Sequence, residues 1–253
     1  MLLEPPPSPY DINFRLFGTP VRISPWFWLV SVIFGWDFVN SPNAGPLFLA
    51  IWVFCVFVSI LLHEFGHIWA GKAFGSDGTI VLYSFGGLAV GSNDLRRRWQ
   101  RVVVSAAGPA IQLILYAALW IAQDRMGDQA WADMPRPLRA TIVMLMEINL
   151  FWPLFNLVPV WPLDGGMISR ELCTGASPRS GLQISLRISF AVALLLAIHA
   201  IAADRGSIRI PCLPTGLYPA ILFAALAFES YQLLQQSRFV HYEPPDDSLP
   251  WER

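Results

Sequence analysis

Six stretches of this chain are apolar for long enough to cross a bilayer, and that limits its fold more than any other property. A spanning helix needs about 20 mostly apolar residues. Such runs fall near residues 24–40, 47–74, 101–123, 139–162, 183–203 and 211–234. In hydrocarbon every backbone N–H and C=O must find its partner within the protein, so runs of this kind fold as helices. The composition agrees: 55% of the 253 residues are hydrophobic and 14% charged, where a soluble domain carries about one quarter charged residues. Between the second and third runs, GTIVLYSFGGLAVG (78–91) is too interrupted to span. It reads as two short strands joined at a Gly-Gly turn. The expected fold is an all-α polytopic membrane protein of about six transmembrane helices, with a short β-hairpin or re-entrant element between the second and third.

One membrane-embedded domain, residues 21–236, accounts for almost the whole chain. Residues 1–20 and 237–253, with their Pro-rich segments, read as cytoplasmic tails. The opening MLLEPPPSPYD has an acid and prolines where a cleaved leader needs basic and then apolar residues, so no leader is expected. The balance of 17 Lys and Arg against 18 Asp and Glu carries no sign of nucleic-acid binding. The partner implied by composition is the lipid bilayer. Cys55, Cys173 and Cys212 are too scattered for a disulfide framework or a zinc knuckle. Six spans put both termini on one side. With the termini inside, 12 of the 17 basic residues lie on inner segments, and 5 on outer loops: Arg125, Arg136, Arg139, Arg205 and Arg209. Basic residues favour the cytoplasmic side, so a multi-pass protein of the cell membrane with cytoplasmic termini is expected.

Within the second span lies HEFGH, residues 63–67. His63 and His67 are four apart, so on a helix both imidazoles leave the same face one turn apart. That spacing lets two neutral nitrogens bind one zinc ion, with Glu64 beside them to take a proton from water. The alternative is a polar patch at a helix interface, but an uncompensated Glu inside a bilayer is costly. A catalytic zinc usually has three protein ligands and one open position. His199, in an apolar span, and His241, in the tail, are poor third ligands.

Asp164 is the better candidate. It lies in NLVPVWPLDGG (156–166), where Pro159 and Pro162 interrupt helix and Gly165 and Gly166 permit tight backbone. Taken alone, Pro-Leu-Asp-Gly is also good chemistry for an ordinary interfacial turn. Spans two and four both run inward, however, so both motifs fall at cytoplasmic ends, at similar depth. That agreement favours a metal site.

HExxH joined to NxxPxxxxDG, here His63 to His67 and Asn156 to Gly165, resembles the site-2 protease family of intramembrane zinc metalloproteases. The likeness covers about residues 20–175 and is to compact prokaryotic-type members without PDZ or paired nucleotide-binding (CBS) domains. FGTPVRISPWF also looks like the entry to their first span. The resemblance implies an endopeptidase with one Zn2+ held by His63, His67 and Asp164. Glu64 would be general base and acid, and Asn156 a polar contact for water or the developing oxyanion. It also implies that the strand pair meets substrate by edge addition, with Gly86 and Gly87 at its turn. The implied partners are single-span membrane proteins, among them membrane-anchored regulators such as anti-sigma factors. AAGPAIQLIL (106–115) departs from a family motif read as Gly-Pro followed by Asn, because Gln112 stands in the Asn place; Gln112 is left out of the site. Two rival functions remain. A non-catalytic homologue that binds membrane segments would have little need of Glu64, and a metal transporter would show repeated halves that this chain lacks.

Overall fold

Residues 78–91 do form two strands, but these are half of a four-stranded sheet. In chain order the elements are β1 (Ile12–Leu16), β2 (Thr19–Ile23), α1 (Pro25–Phe34), α2 (Asp37–Asn40), α3 (Pro46–Ala73), β3 (Thr79–Tyr83), β4 (Gly86–Val90), α4 (Arg98–Met126), α5 (Asp128–Asp133), α6 (Arg136–Asn156), α7 (Asp164–Ala176), α8 (Gly181–Asp204) and α9 (Leu217–Phe239). The computed structural model describes residues 6–40, 45–84, 86–204, 210, 213 and 215–239. The expected tails therefore lie partly outside the described residues, at 1–5 and 240–253, while residues 12–16 of the N-terminal one form β1. The chain falls into two units, Leu2–Leu157 and Val158–Arg253.

Among the described residues, five helices are long and apolar enough to cross a membrane: α3, α4, α6, α8 and most of α9. The sixth expected span, 24–40, is built differently. Helix α1 has 10 residues, about 15 Å of rise, or half of a hydrocarbon core about 30 Å thick. Strand β2 precedes it directly and adds about 16 Å. At the start of β2, the Lys72 ammonium, in the last turn of α3, donates to Thr19 Oγ1 at 2.9 Å. Beyond β2, the Trp52 indole of α3 donates to the Ser31 carbonyl at 3.0 Å. Gly35 then lies against Leu49 and Trp52, close to the start of α3. Strand and helix in series thus run alongside α3 over nearly its whole length.

The sheet order is β1-β2-β3-β4. β2 pairs antiparallel with β1 and parallel with β3, so its backbone is bonded on both sides. This is how a non-helical segment is tolerated at membrane depth. Alternate residues of the inner strands, Val21, Ile23, Ile80 and Leu82, pack with Ile60, Phe65 and Ile68 of α3 in the core of this unit. Helices α3 and α4 touch backbone to backbone: a Cβ on Gly66 would lie 2.6 Å from the Ala107 carbonyl oxygen and 2.9 Å from Gly108 Cα. Helices without a hydrophobic driving force between them associate through small residues in this way.

In the second unit, α8 packs along α9 and α7. Its buried positions include Ser185, Ser189, Ala193 and Ala197, a run of small residues at four-residue spacing that makes one smooth face.

Candidate metal centre

HEFGH lies in the second half of α3, and all five of its residues are buried. Helical periodicity puts His63 and His67 on one face, and their Nε2 atoms are 3.1 Å apart. The other nitrogens show where the ring protons are. His67 Nδ1 is 2.7 Å from the Val104 carbonyl oxygen of α4. A carbonyl only accepts, so Nδ1–H donates and the neutral ring presents a lone pair at Nε2. His63 Nδ1 is 2.8 Å from Gln112 Oε1, also an acceptor, because the Gln112 amide N–H donates to the Ser59 carbonyl at 3.0 Å. Two lone pairs thus lie 3.1 Å apart. Such an arrangement is repulsive by itself and is relieved by a cation that both nitrogens bind. Space is kept for it: a Cβ on Gly108 of α4 would overlap the Nε2 atoms of both rings. The pair therefore fits a divalent ion that favours imidazole nitrogen, zinc above all.

Glu64 is 4% exposed. A Cβ on Gly87, in β4, would run into the Glu64 carboxylate, so glycine is what lets the strand come this close. Gly86 and Gly87 are not the turn of the hairpin as expected; they are the first two residues of β4, opposite Tyr83 and Leu82. Gly86 has a φ of +116° and its open side faces the Trp152 ring, a backbone conformation that favours glycine. β4 ends the sheet, so its outer edge has no neighbouring strand among the described residues.

Asn156 is the last residue of α6, and its amide N–H donates back to the Trp152 carbonyl at 3.1 Å. In the second unit, Asp164 opens α7, where the helix dipole favours a negative charge. The loop before it is tightly folded: a Cβ on Gly166 would lie 2.5 Å from the Val160 carbonyl oxygen. Ser189 of α8 ties it down, accepting from the Trp161 N–H at 3.1 Å and donating to the Pro159 carbonyl at 3.4 Å.

Three further residues belong near the histidines, none of them placed in the site from sequence; Asn149, like Glu147, reads from sequence more as a packing contact between helices than as part of the site. Gln112, set aside as a departure from a motif, is the hydrogen-bond partner of His63. Asn149 reaches Ser59 Oγ at 2.8 Å, a polar contact between α6 and α3. Gly108 clears the Nε2 atoms. The signal for the first two was a carboxamide inside an apolar span, where an amide must have a partner. Glu147 carried the same signal, yet it is exposed on the outer face of α6.

The profile of peptidase family M50 matches residues 51–127 and 126–196. A Synechocystis protein is 36% identical over 185 residues, which make up 68% of this chain and 47% of the relative. A zinc metalloprotease of Methanocaldococcus jannaschii is 28% identical over 237 residues, 92% of this chain and 62% of the relative. The chain thus spans about half of the first relative and three fifths of the second. Among solved structures, the site-2 protease from Methanocaldococcus jannaschii superimposes with a TM-score of 0.56 at 22% identity, covering 88% of this chain and 94% of that one. At that identity the likeness establishes the fold alone.

Proposed function

Because the chain belongs to peptidase family M50, we propose that it is an intramembrane zinc endopeptidase, hydrolysing peptide bonds in or near the transmembrane segments of membrane-anchored substrates. The observation that carries this reading is the pair of imidazole Nε2 atoms 3.1 Å apart on α3, each with Nδ1 against an acceptor, beside Glu64. His63, His67 and Asp164 are the proposed ligands of one Zn2+. They offer two imidazole nitrogens and a carboxylate oxygen, a donor set that leaves one coordination position open. When bound, zinc supplies Lewis acidity, polarising a carbonyl and making water acidic enough to yield hydroxide near neutral pH.

The chain's own residues do the rest. Glu64, buried against Gly87, takes the proton from the attacking water and hands it to the departing amine, as a general base and then a general acid. Asn156 holds one amide hydrogen on Trp152 and keeps a second for water or for the oxyanion. A helical substrate hides its carbonyls, so it must unwind before attack. The edge of β4, beginning at Gly86 and Gly87, suits an unwound segment, because strand addition bonds main chain to main chain whatever the sequence. The substrates are single-span membrane proteins, membrane-anchored regulators such as anti-sigma factors among them. The basic-residue asymmetry supports a location in the cell membrane with both termini cytoplasmic.

Cleavage of single-span peptides by the purified chain in detergent, followed by mass spectrometry, tests this. Glu64→Gln is expected to retain zinc and lose about 10²–10⁴-fold in rate. Asp164→Asn is expected to lose zinc. If wild type and Glu64→Gln both hold zinc and cut at equal rates, Glu64 is not the base. If both hold zinc and neither cuts any peptide of a varied set, a membrane-segment-binding function takes precedence.

A further inference from the structure

Three polar side chains from three spans meet behind His63, and the reaction above uses none of them. Ser59 of α3, Gln112 of α4 and Asn149 of α6 are each wholly buried, at 0% exposure. Polar groups withdrawn so far into apolar helices are costly unless they are bonded and needed. Each is bonded. The Gln112 amide donates to the Ser59 carbonyl at 3.0 Å and its oxygen faces His63 Nδ1 at 2.8 Å. Asn149 donates to Ser59 Oγ and to the Leu145 carbonyl, both at 2.8 Å.

We propose that Gln112 is a positioning residue, which fixes His63 as the Nδ1–H tautomer and so holds its Nε2 lone pair toward the metal; this rests on the metal reading above. A neutral imidazole carries its proton on either nitrogen, and the partner of one nitrogen decides which. Glutamine alone does not make that choice, since its amide can turn either end to the ring. Here the choice is made by Ser59. Its carbonyl can only accept, so it claims the NH2 group and leaves the oxygen for His63. Ser59 and His63 are one turn apart on the same face of α3, and Gln112 brackets that turn. Asparagine, shorter by one methylene or about 1.5 Å, would reach one partner and not both. The longer amide is therefore functional here, and Asn149 steadies the residue that orients it. His67 gets the same tautomer from a backbone carbonyl, that of Val104. The Nδ1 partner of His63, unlike that of His67, is a side chain that substitution can remove.

The test is zinc affinity of the purified full chain, measured by titrating Zn2+ against a chelator, with thermal unfolding of the metal-free protein alongside. Gln112→Met keeps the bulk and removes the acceptor; a tenfold to hundredfold weaker affinity is expected, as for other partners of metal-bound histidines. Gln112→Glu keeps an acceptor for Nδ1–H and is expected to bind zinc about as tightly as wild type, even where its unfolding temperature falls. A merely structural role would lower the unfolding temperature of both variants and leave affinity unchanged in Gln112→Met. That result overturns the inference while wild type still holds zinc. Should Gln112→Met not fold, a tenfold loss of affinity in Gln112→Glu overturns it instead. A wild-type chain that holds no zinc overturns the metal reading and this inference with it.

Discussion

A methyl group on Gly108 would occupy the space beside both imidazole Nε2 atoms, and one on Gly87 would run into the Glu64 carboxylate. The two positions separate metal binding from proton transfer. Gly108→Ala is expected to lower zinc content per chain, measured by elemental mass spectrometry. Full zinc occupancy in that variant would mean that the ion lies away from the Nε2 pair. Gly87→Ala is expected to keep its zinc and to cut at least tenfold more slowly, because Glu64 must move; an unchanged rate would remove Glu64 from the chemistry. His63, Glu64 and His67 were legible in sequence as candidates because that reading needs only their own donor atoms and helical spacing. Gly108 and Gln112 were not, and Gly87 was singled out for a turn and not for its approach to Glu64. What a glycine permits, or a buried amide contacts, is set by a different element.

At the scale of elements, the first crossing departs most from expectation. Apolar residues over 24–40 indicate depth in the membrane and not backbone conformation, and TPVRI in β2, with its Pro20 and Arg22, reads as a flank. In the structure β2 is a central strand with Val21 opposite Phe14 on one side and Ile80 on the other. Proline at an inner strand position removes a ladder donor and leaves a carbonyl without its partner. Val21→Pro is therefore expected to cost about 1–3 kcal/mol, read as a lower unfolding temperature in detergent. A change as small as that of a surface substitution would argue against a paired strand there. Strand β1 was hidden for a related reason, since INFRL is largely exposed and shows no apolar run. Glu147 lies midway along α6 on its outer face, where an acid costs about 2.5–3.5 kcal/mol at a span's centre. Glu147→Leu should raise the unfolding temperature and leave zinc content unchanged; lost stability would mean that the carboxylate has a partner.

For the whole molecule, the expectation of six crossings, with both termini on one side, depends on counting β2 with α1 as one crossing beside the five apolar helices found among the described residues. Reporter fusions at either end are expected to be active only in the cytoplasm; opposite locations for the two would mean that strand and short helix do not complete a traverse. The sequence by itself determined that this chain is a polytopic membrane protein, where its long apolar helices lie, and which side chains offer ligand atoms. These are sums of hydropathy and donor chemistry that belong to residues wherever they sit. Only the tertiary structure decided that the first crossing begins as a strand, that Gly87 admits β4 to Glu64, and that Ser59 turns Gln112 so that His63 presents its lone pair. Those facts depend on how close helices and strands remote in sequence come to one another, and a distance of that kind is not a property of any one segment.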